Sequence, residues 1–153
     1  MKSAIIIPAR MASQRFPNKP MVKIDGIPMI ERVWRQGIES KVGDVFVACC
    51  EEEVFDLITS NGGTAIMTDP NLPSGTDRIF EAFNSLENKN DYESIINLQG
   101  DMPLINPLIL EMVNIPLHNG YEIGTIATNI SSYEETNTNI TKVLINWEKT
   151  NLI

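Results

Sequence analysis

The chain has one histidine and two cysteines in 153 residues. The cysteines, Cys49 and Cys50, are adjacent. A disulfide between neighbours closes a strained ring, and the pair lacks the spacing of a zinc site. Both read as small apolar side chains buried at the end of a strand. The lone histidine, His118, falls near the end of a predicted helix and reads as a surface residue meeting the helix dipole, not as a catalyst. Long apolar runs are also missing. The run Ala4–Ile7 stops at Pro8 and Arg10, too short for the core of a signal peptide. No stretch approaches the roughly 20 apolar residues of a membrane span. The expectation is a soluble, cytoplasmic protein with no membrane partner. There is no internal repeat and no linker.

What is present is the composition of an ordinary globular protein, 42% hydrophobic and 21% charged. It excludes disorder and fibrous structure. The net charge is −8, distributed unevenly. Residues 1–41 carry eight basic and three acidic side chains, a net +5, whereas residues 42–153 carry four and seventeen, a net −13. A nucleic-acid binder spreads positive charge over a face. Positive charge confined to one early segment suits a small, dense anion such as a nucleoside triphosphate.

Strand and helix signals alternate. Ser3–Ala9 is Ile-rich and continuous, as a strand buried on both faces requires. Met21–Ile24 reads as a short extended piece before an Asp25-Gly26 turn, with Pro28 opening a helix that runs to about Ser40. Further strands are predicted at Asp44–Cys50, Thr64–Met67, Glu93–Leu98, Ile123–Ile130 and Thr141–Asn146. Helices are predicted over residues 51–60, 75–86 and, with Asn106 as cap and a break at Pro116, 108–118. Ser131–Asn139 reads as polar loop and Trp147–Thr150 as a turn. The order predicts an α/β fold: a doubly wound, mainly parallel sheet with helices on both faces, in a single domain over 1–153. Asn151-Leu152-Ile153 reads as the start of a strand that does not continue, so a truncated, split or degraded gene is expected.

In open α/β sheets, ligands bind beyond the carboxyl ends of the strands. The loop after the first strand, residues 8–20, lies there and carries Arg10, Arg15 and Lys19. Arginine can grip two phosphate oxygens at once, lysine acts as a point charge, and Pro8, Pro17 and Pro20 stiffen the loop. The loop lacks both the glycine-rich run of a P-loop and a dinucleotide fingerprint. Asp101 follows an apolar strand and a glycine, at the same edge, where a hard oxygen ligand suits Mg²⁺. On its own, Ser74-Gly75-Thr76-Asp77 is equally a helix cap.

Four blocks resemble one family: Ile7-Pro8-Ala9-Arg10 with Ser13, Arg15, Pro17, Lys19 and Pro20; Asp25-Gly26-Ile27-Pro28-Met29-Ile30; Met67-Thr68 with Ser74-Gly75-Thr76-Asp77-Arg78; and Gln99-Gly100-Asp101 with Pro103-Leu104-Ile105. Their order and spacing resemble the cytidylyltransferases that make CMP-activated acidic sugars, above all those acting on 3-deoxy-manno-octulosonate (Kdo). The match runs to about Val143 and covers the N-terminal three fifths of a family member. The resemblance implies a Rossmann-like nucleotidyltransferase fold cut short at its C-terminus, lacking the sugar-binding and dimerisation part. It implies that Arg10, Arg15 and Lys19 hold the CTP phosphates with Ser13. Pro8, Ala9, Ser74, Gly75, Thr76 and Arg78 would line the cytidine pocket, Gln99 would reach the ribose or sugar, and Asp101 would bind Mg²⁺.

The implied reaction is nucleotidyl transfer from CTP to Kdo, giving CMP-Kdo and pyrophosphate for lipopolysaccharide biosynthesis, with Arg10, Lys19 and Asp101 as its catalytic residues. Alternatives are an inactive or split-gene nucleotide-binding fragment and a relative such as CMP-sialic acid synthetase. Full-length relatives are expected to be homodimers, and a separate C-terminal fragment is a possible partner of this chain. Two positions depart from the family pattern: Met102 stands where a glutamate is usual, and Cys49-Cys50 where Thr-Asp is usual.

Overall fold

A computed structural model describes residues 1–11 and 17–143. Four parallel strands form the main sheet: β1 (Ser3–Pro8), β4 (Gly43–Cys49), β5 (Thr64–Met67) and β6 (Ser94–Asn97), in the order β5-β4-β1-β6. The central strand β1 has both neighbours in register, Ile5 pairing with Val45 on one side and Ile96 on the other. Its Ile5, Ile6 and Ile7 are fully buried. Each such side chain contributes about 1.5–3 kcal/mol on leaving water. The β-branched run of the sequence is therefore the core of the sheet.

The pleat divides that core between two layers. Ala4 and Ile6 of β1, with Phe46 and Ala48 of β4, pack against Ile79 and Ala82 of α3 (Gly75–Ser85). On the other face, Gly37 of α1 (Met29–Ser40) lies against Val45 and Leu98. There α2 (Glu52–Ser60) joins α1, since Gly63 is wedged between Ile58 and Trp34. Helices thus cover both faces, as expected. A small antiparallel hairpin, β2 (Lys23–Ile24) and β3 (Ile27–Pro28), precedes α1. Its two turn residues, Asp25 and Gly26, have φ of 47° and 79°, the two-residue turn that matches strand twist.

The chain divides into two compact units, Met1–Glu111 and Met112–Ile153. Predictions beyond β6 need correction. The helix expected over 108–118 is two short helices, α4 (Leu108–Met112) and α5 (Ile115–His118). The break precedes Pro116 because proline cannot donate to the carbonyl four residues back, that of Met112. Ile123–Ile130 forms no strand. Ile123 is 83% exposed, and Gly124 packs against the carbonyl of Val113 and the side chains of Leu117 and Pro116 instead of a neighbouring strand. Within the expected loop 131–139, Ser131 and Glu134 form a reciprocal cap that starts α6 (Ser132–Glu135). Thr141–Val143 is not strand; the rest of that prediction, and the turn at 147–150, lie outside the described residues. Among the described residues, no helix is long and apolar enough to cross a membrane.

Candidate functional site

The winding of the sheet reverses at β1: the chain passes outward from β1 to β4 to β5, then returns to the far side of β1 to lay down β6. Such a reversal leaves a crevice outside the carboxyl ends of the two strands that flank it. Here those ends are Pro8-Ala9-Arg10 after β1 and Gln99-Gly100-Asp101 after β6. A cavity of about 340 Å³ occupies the crevice, lined by Pro8, Ala9, Arg10, Lys19, Pro20, Gly75, Arg78, Gln99, Gly100 and Asp101.

Each wall follows from local chemistry. The Ala9 amide still donates to the Ala48 carbonyl at 2.8 Å, so the chain leaves the sheet only at Arg10, which is exposed at the rim. The loop returns where the Asn18 amide donates to the Met11 carbonyl at 3.0 Å. Asn18 takes a left-handed conformation, φ 57°, and turns the chain into a short 3-10 helix, Lys19–Met21, with Pro20 at its second position. This brings Lys19 Nζ to 2.6 Å from Asp101 Oδ2. Two residues 82 positions apart, both singled out from sequence, thus form an ion pair on the cavity wall. Among the described residues Arg10 makes no ion pair.

The third wall is the start of α3. Ser74 is its N-cap: its Oγ accepts from the Asp77 amide at 3.2 Å and donates to Asp77 Oδ2 at 2.5 Å. Arg78, one turn on, is 1% exposed. One guanidinium nitrogen donates to the Thr68 hydroxyl; Nη2 is buried without a hydrogen-bond partner among the described residues. An unsatisfied buried donor is costly, and this one belongs to a residue that lines the cavity. Among the described residues, three cations and one carboxylate line the space, a net positive charge that favours an anion.

Of the residues singled out from sequence, the structure brings Pro8, Ala9, Arg10, Lys19, Gly75, Arg78, Gln99 and Asp101 to one cavity. Ser74 and Thr76 do not line it. Ser13 and Arg15 lie outside the described residues. Gln99 Nε2 donates to Asn97 Oδ1 at 2.6 Å. Among the described residues no cluster of three acidic, histidine or cysteine side chains could hold a metal. Among the described residues Asp101 is the only carboxylate on the wall, which fits a cation carried in by phosphates better than one caged by protein. Cys49 is fully buried and its thiol is pushed up to about 11, chiefly by burial. Cys50 is only half-buried, which corrects the expectation that both are interior. Both thiols are free. His118 ends α5 on the surface, as expected. A slightly larger cavity, about 380 Å³, lies at the opposite ends of the strands around Trp34, Asp44 and Tyr92, and holds none of the predicted residues.

Sequence reasoning missed Gly100 and Pro20 as wall residues. Gly100 has a steric reason: a Cβ there would lie 2.7 Å from the Pro8 carbonyl oxygen and 3.4 Å from Ile30 Cδ1. Gly100→Ala is therefore expected to destabilise the fold by about 1–3 kcal/mol, the usual cost of overpacking. Gly75→Ala meets only ordinary contacts, 3.4 Å from Pro8 Cγ, and is the near-neutral control. Thermal unfolding of the two variants checks the difference.

Comparison with known proteins gives one consistent result. The cytidylyltransferase family profile matches residues 4–152. The 3-deoxy-manno-octulosonate cytidylyltransferase of Paramagnetospirillum magneticum is 45% identical over 143 residues, covering 92% of this chain and 58% of that protein. The structure of CMP:2-keto-3-deoxy-manno-octonic acid synthetase complexed with CTP superposes with a TM-score of 0.71 and 37% identity, covering 78% of this chain and 48% of that one. A cytidylyltransferase from Leptospira borgpetersenii shares the fold at 24% identity and a TM-score of 0.63, over 80% of this chain and 50% of its own. The chain thus spans little more than half the length of the curated relatives it matches.

Proposed function

Because the chain belongs to the cytidylyltransferase family, we propose that the cavity binds CTP and serves transfer of its cytidylyl group to Kdo, with release of pyrophosphate. The observation that carries this reading is the convergence of Arg10, Lys19 and Asp101 on one crevice beside the buried Arg78. Support comes from the names of the relatives, which point to Kdo over sialic acid, and from the similar synthetase structure complexed with CTP.

In the reaction, the anomeric hydroxyl of the sugar attacks the α-phosphorus, the bond to the β-phosphate breaks, and pyrophosphate leaves. No protein nucleophile is needed, so the residues contribute position and charge. Arg10 and Lys19 neutralise the phosphates on the open side. Arg78 and the backbone around Pro8, Ala9 and Gly75 close the inner side around the base, and Gln99 faces the ribose or the incoming sugar. Asp101 is the wall carboxylate that would hold a Mg²⁺ ion, and such an ion would supply charge neutralisation at the phosphates.

Calorimetry with CTP and GTP, followed by pyrophosphate release from CTP plus Kdo, tests the proposal. Preference for CTP with pyrophosphate release is the expected result; equal affinity for the two nucleotides overturns the cytidine assignment. A second reading, a chain that binds the nucleotide without turning it over, is favoured by Asp101 being a lone carboxylate among the described residues of the cavity wall. It predicts heat of CTP binding without pyrophosphate.

A further inference from the structure

Glu51 occupies the N-cap of α2, where its carbonyl accepts the Phe55 amide at 3.2 Å. An acidic side chain at a cap normally accepts from the first helical amides, and this one does not. It reaches across 40 residues to accept the Met11 amide on Oε1 at 2.9 Å. Met11 is where the first loop closes: its carbonyl accepts the Asn18 amide at 3.0 Å, the residue before Lys19. Both backbone groups of Met11 are therefore held, one by Glu51 and one by the returning end of the loop. The residues on either side of this junction, Arg10 and Lys19, are the two cations on the open side of the cavity.

We propose that Glu51 is a positioning residue: through the Met11 amide it fixes the spacing of Arg10 and Lys19 across the cavity mouth, and so presets these two cations for a triphosphate. The inference rests on the nucleotide reading above. The second oxygen supports it. Glu51 Oε2 is buried without a hydrogen-bond partner among the described residues, as is Arg78 Nη2. Both residues act on the half-buried Cys50 thiol, which burial and then Glu51 push above its ordinary value while Arg78 opposes them. Glu51 thus lies close to the Arg78 wall as well as to the loop. A carboxylate held in this region without an ion pair of its own costs stability, and the Met11 bond is the interaction that fixes its place.

The test uses the full chain in three variants and follows amide exchange at Met11, CTP affinity and melting temperature. Glu51→Ala is expected to release the Met11 amide to fast exchange and to lower CTP affinity about tenfold, the equivalent of one charge-assisted hydrogen bond. Glu51→Gln keeps an acceptor oxygen at the same reach and is expected to restore both to within about threefold of wild type. Glu51→Asp keeps the charge at the cap but is one methylene short, and is expected to behave like Glu51→Ala; it also serves if the alanine variant fails to fold. Wild-type protection of Met11 in a folded Glu51→Ala or Glu51→Asp overturns the proposal, as does a Gln variant as weak as Ala. A wild-type chain that binds no CTP, yet loses Met11 protection in the variants, overturns the nucleotide reading and upholds the clamp. Normal CTP binding with unchanged Met11 exchange does the reverse.

Discussion

Lys19→Ala is expected to weaken CTP binding by about 30-fold to 100-fold, and Asp101→Asn to change the sign of its effect with magnesium. The Lys19 figure is one charged hydrogen bond to phosphate, about 2–3 kcal/mol. The sign change follows from the ion pair. Lys19 Nζ lies 2.6 Å from Asp101 Oδ2, so without metal the carboxylate competes with phosphate for the ammonium and repels the nucleotide. Removing its charge then strengthens metal-free CTP binding. With magnesium, on the proposed reading, the same carboxylate would anchor the cation, and removing it is expected to weaken binding. Calorimetry in EDTA and in excess magnesium measures both arms. An Asp101→Asn effect of one sign in both buffers sinks the idea that Asp101 alternates between lysine and metal. Because the partners are partly exposed, at 35% and 49%, added salt should reduce the metal-free effect.

The residues of that ion pair were legible in sequence because a rule of topology did the work. Any loop that follows a strand of a parallel sheet in the forward direction opens at its carboxyl edge; Ser3–Ala9 carries a buried-strand pattern and Glu93–Leu98 reads as an apolar strand. The same logic found β4 and β5 to within a residue. It failed at Ile123–Ile130, where the β-branched residues are present but no neighbouring strand is supplied. A strand is a pairing, and one segment's composition does not contain its partner. Pro116 was read correctly as a breaker but placed too late, since its effect falls on the carbonyl four residues back. Gly100 was visible as a letter, yet its steric role depends on how near Pro8 comes across the sheet. The use of Glu51 was invisible for the same reason: three glutamates in a row at 51–53 read as favourable charge on a helix start, and only the fold shows that the first of them turns away from the helix to the Met11 amide of the loop after β1.

Arg78→Met is expected to do two opposite things: lower CTP affinity by about 30-fold to 100-fold, and leave the unliganded chain more stable by about 1 kcal/mol. The guanidinium is 1% exposed, and among the described residues it makes no ion pair and leaves Nη2 unpartnered. A buried charge in that condition costs desolvation that its surroundings do not return, and an apolar side chain of similar length fills the same volume without it. The Thr68 hydroxyl keeps its own donation to the Cys49 carbonyl at 2.9 Å, so that hydroxyl is not orphaned by the change. On the proposed reading, the cost is recovered when the nucleotide supplies an acceptor for Nη2. Thermal unfolding with and without CTP reads both effects at once: the variant should melt several degrees higher alone, and the upward shift on adding CTP should shrink. A variant that melts lower alone while keeping the full shift with CTP shows instead that Arg78 is a structural strut, and that the cytidine end of the site lies elsewhere.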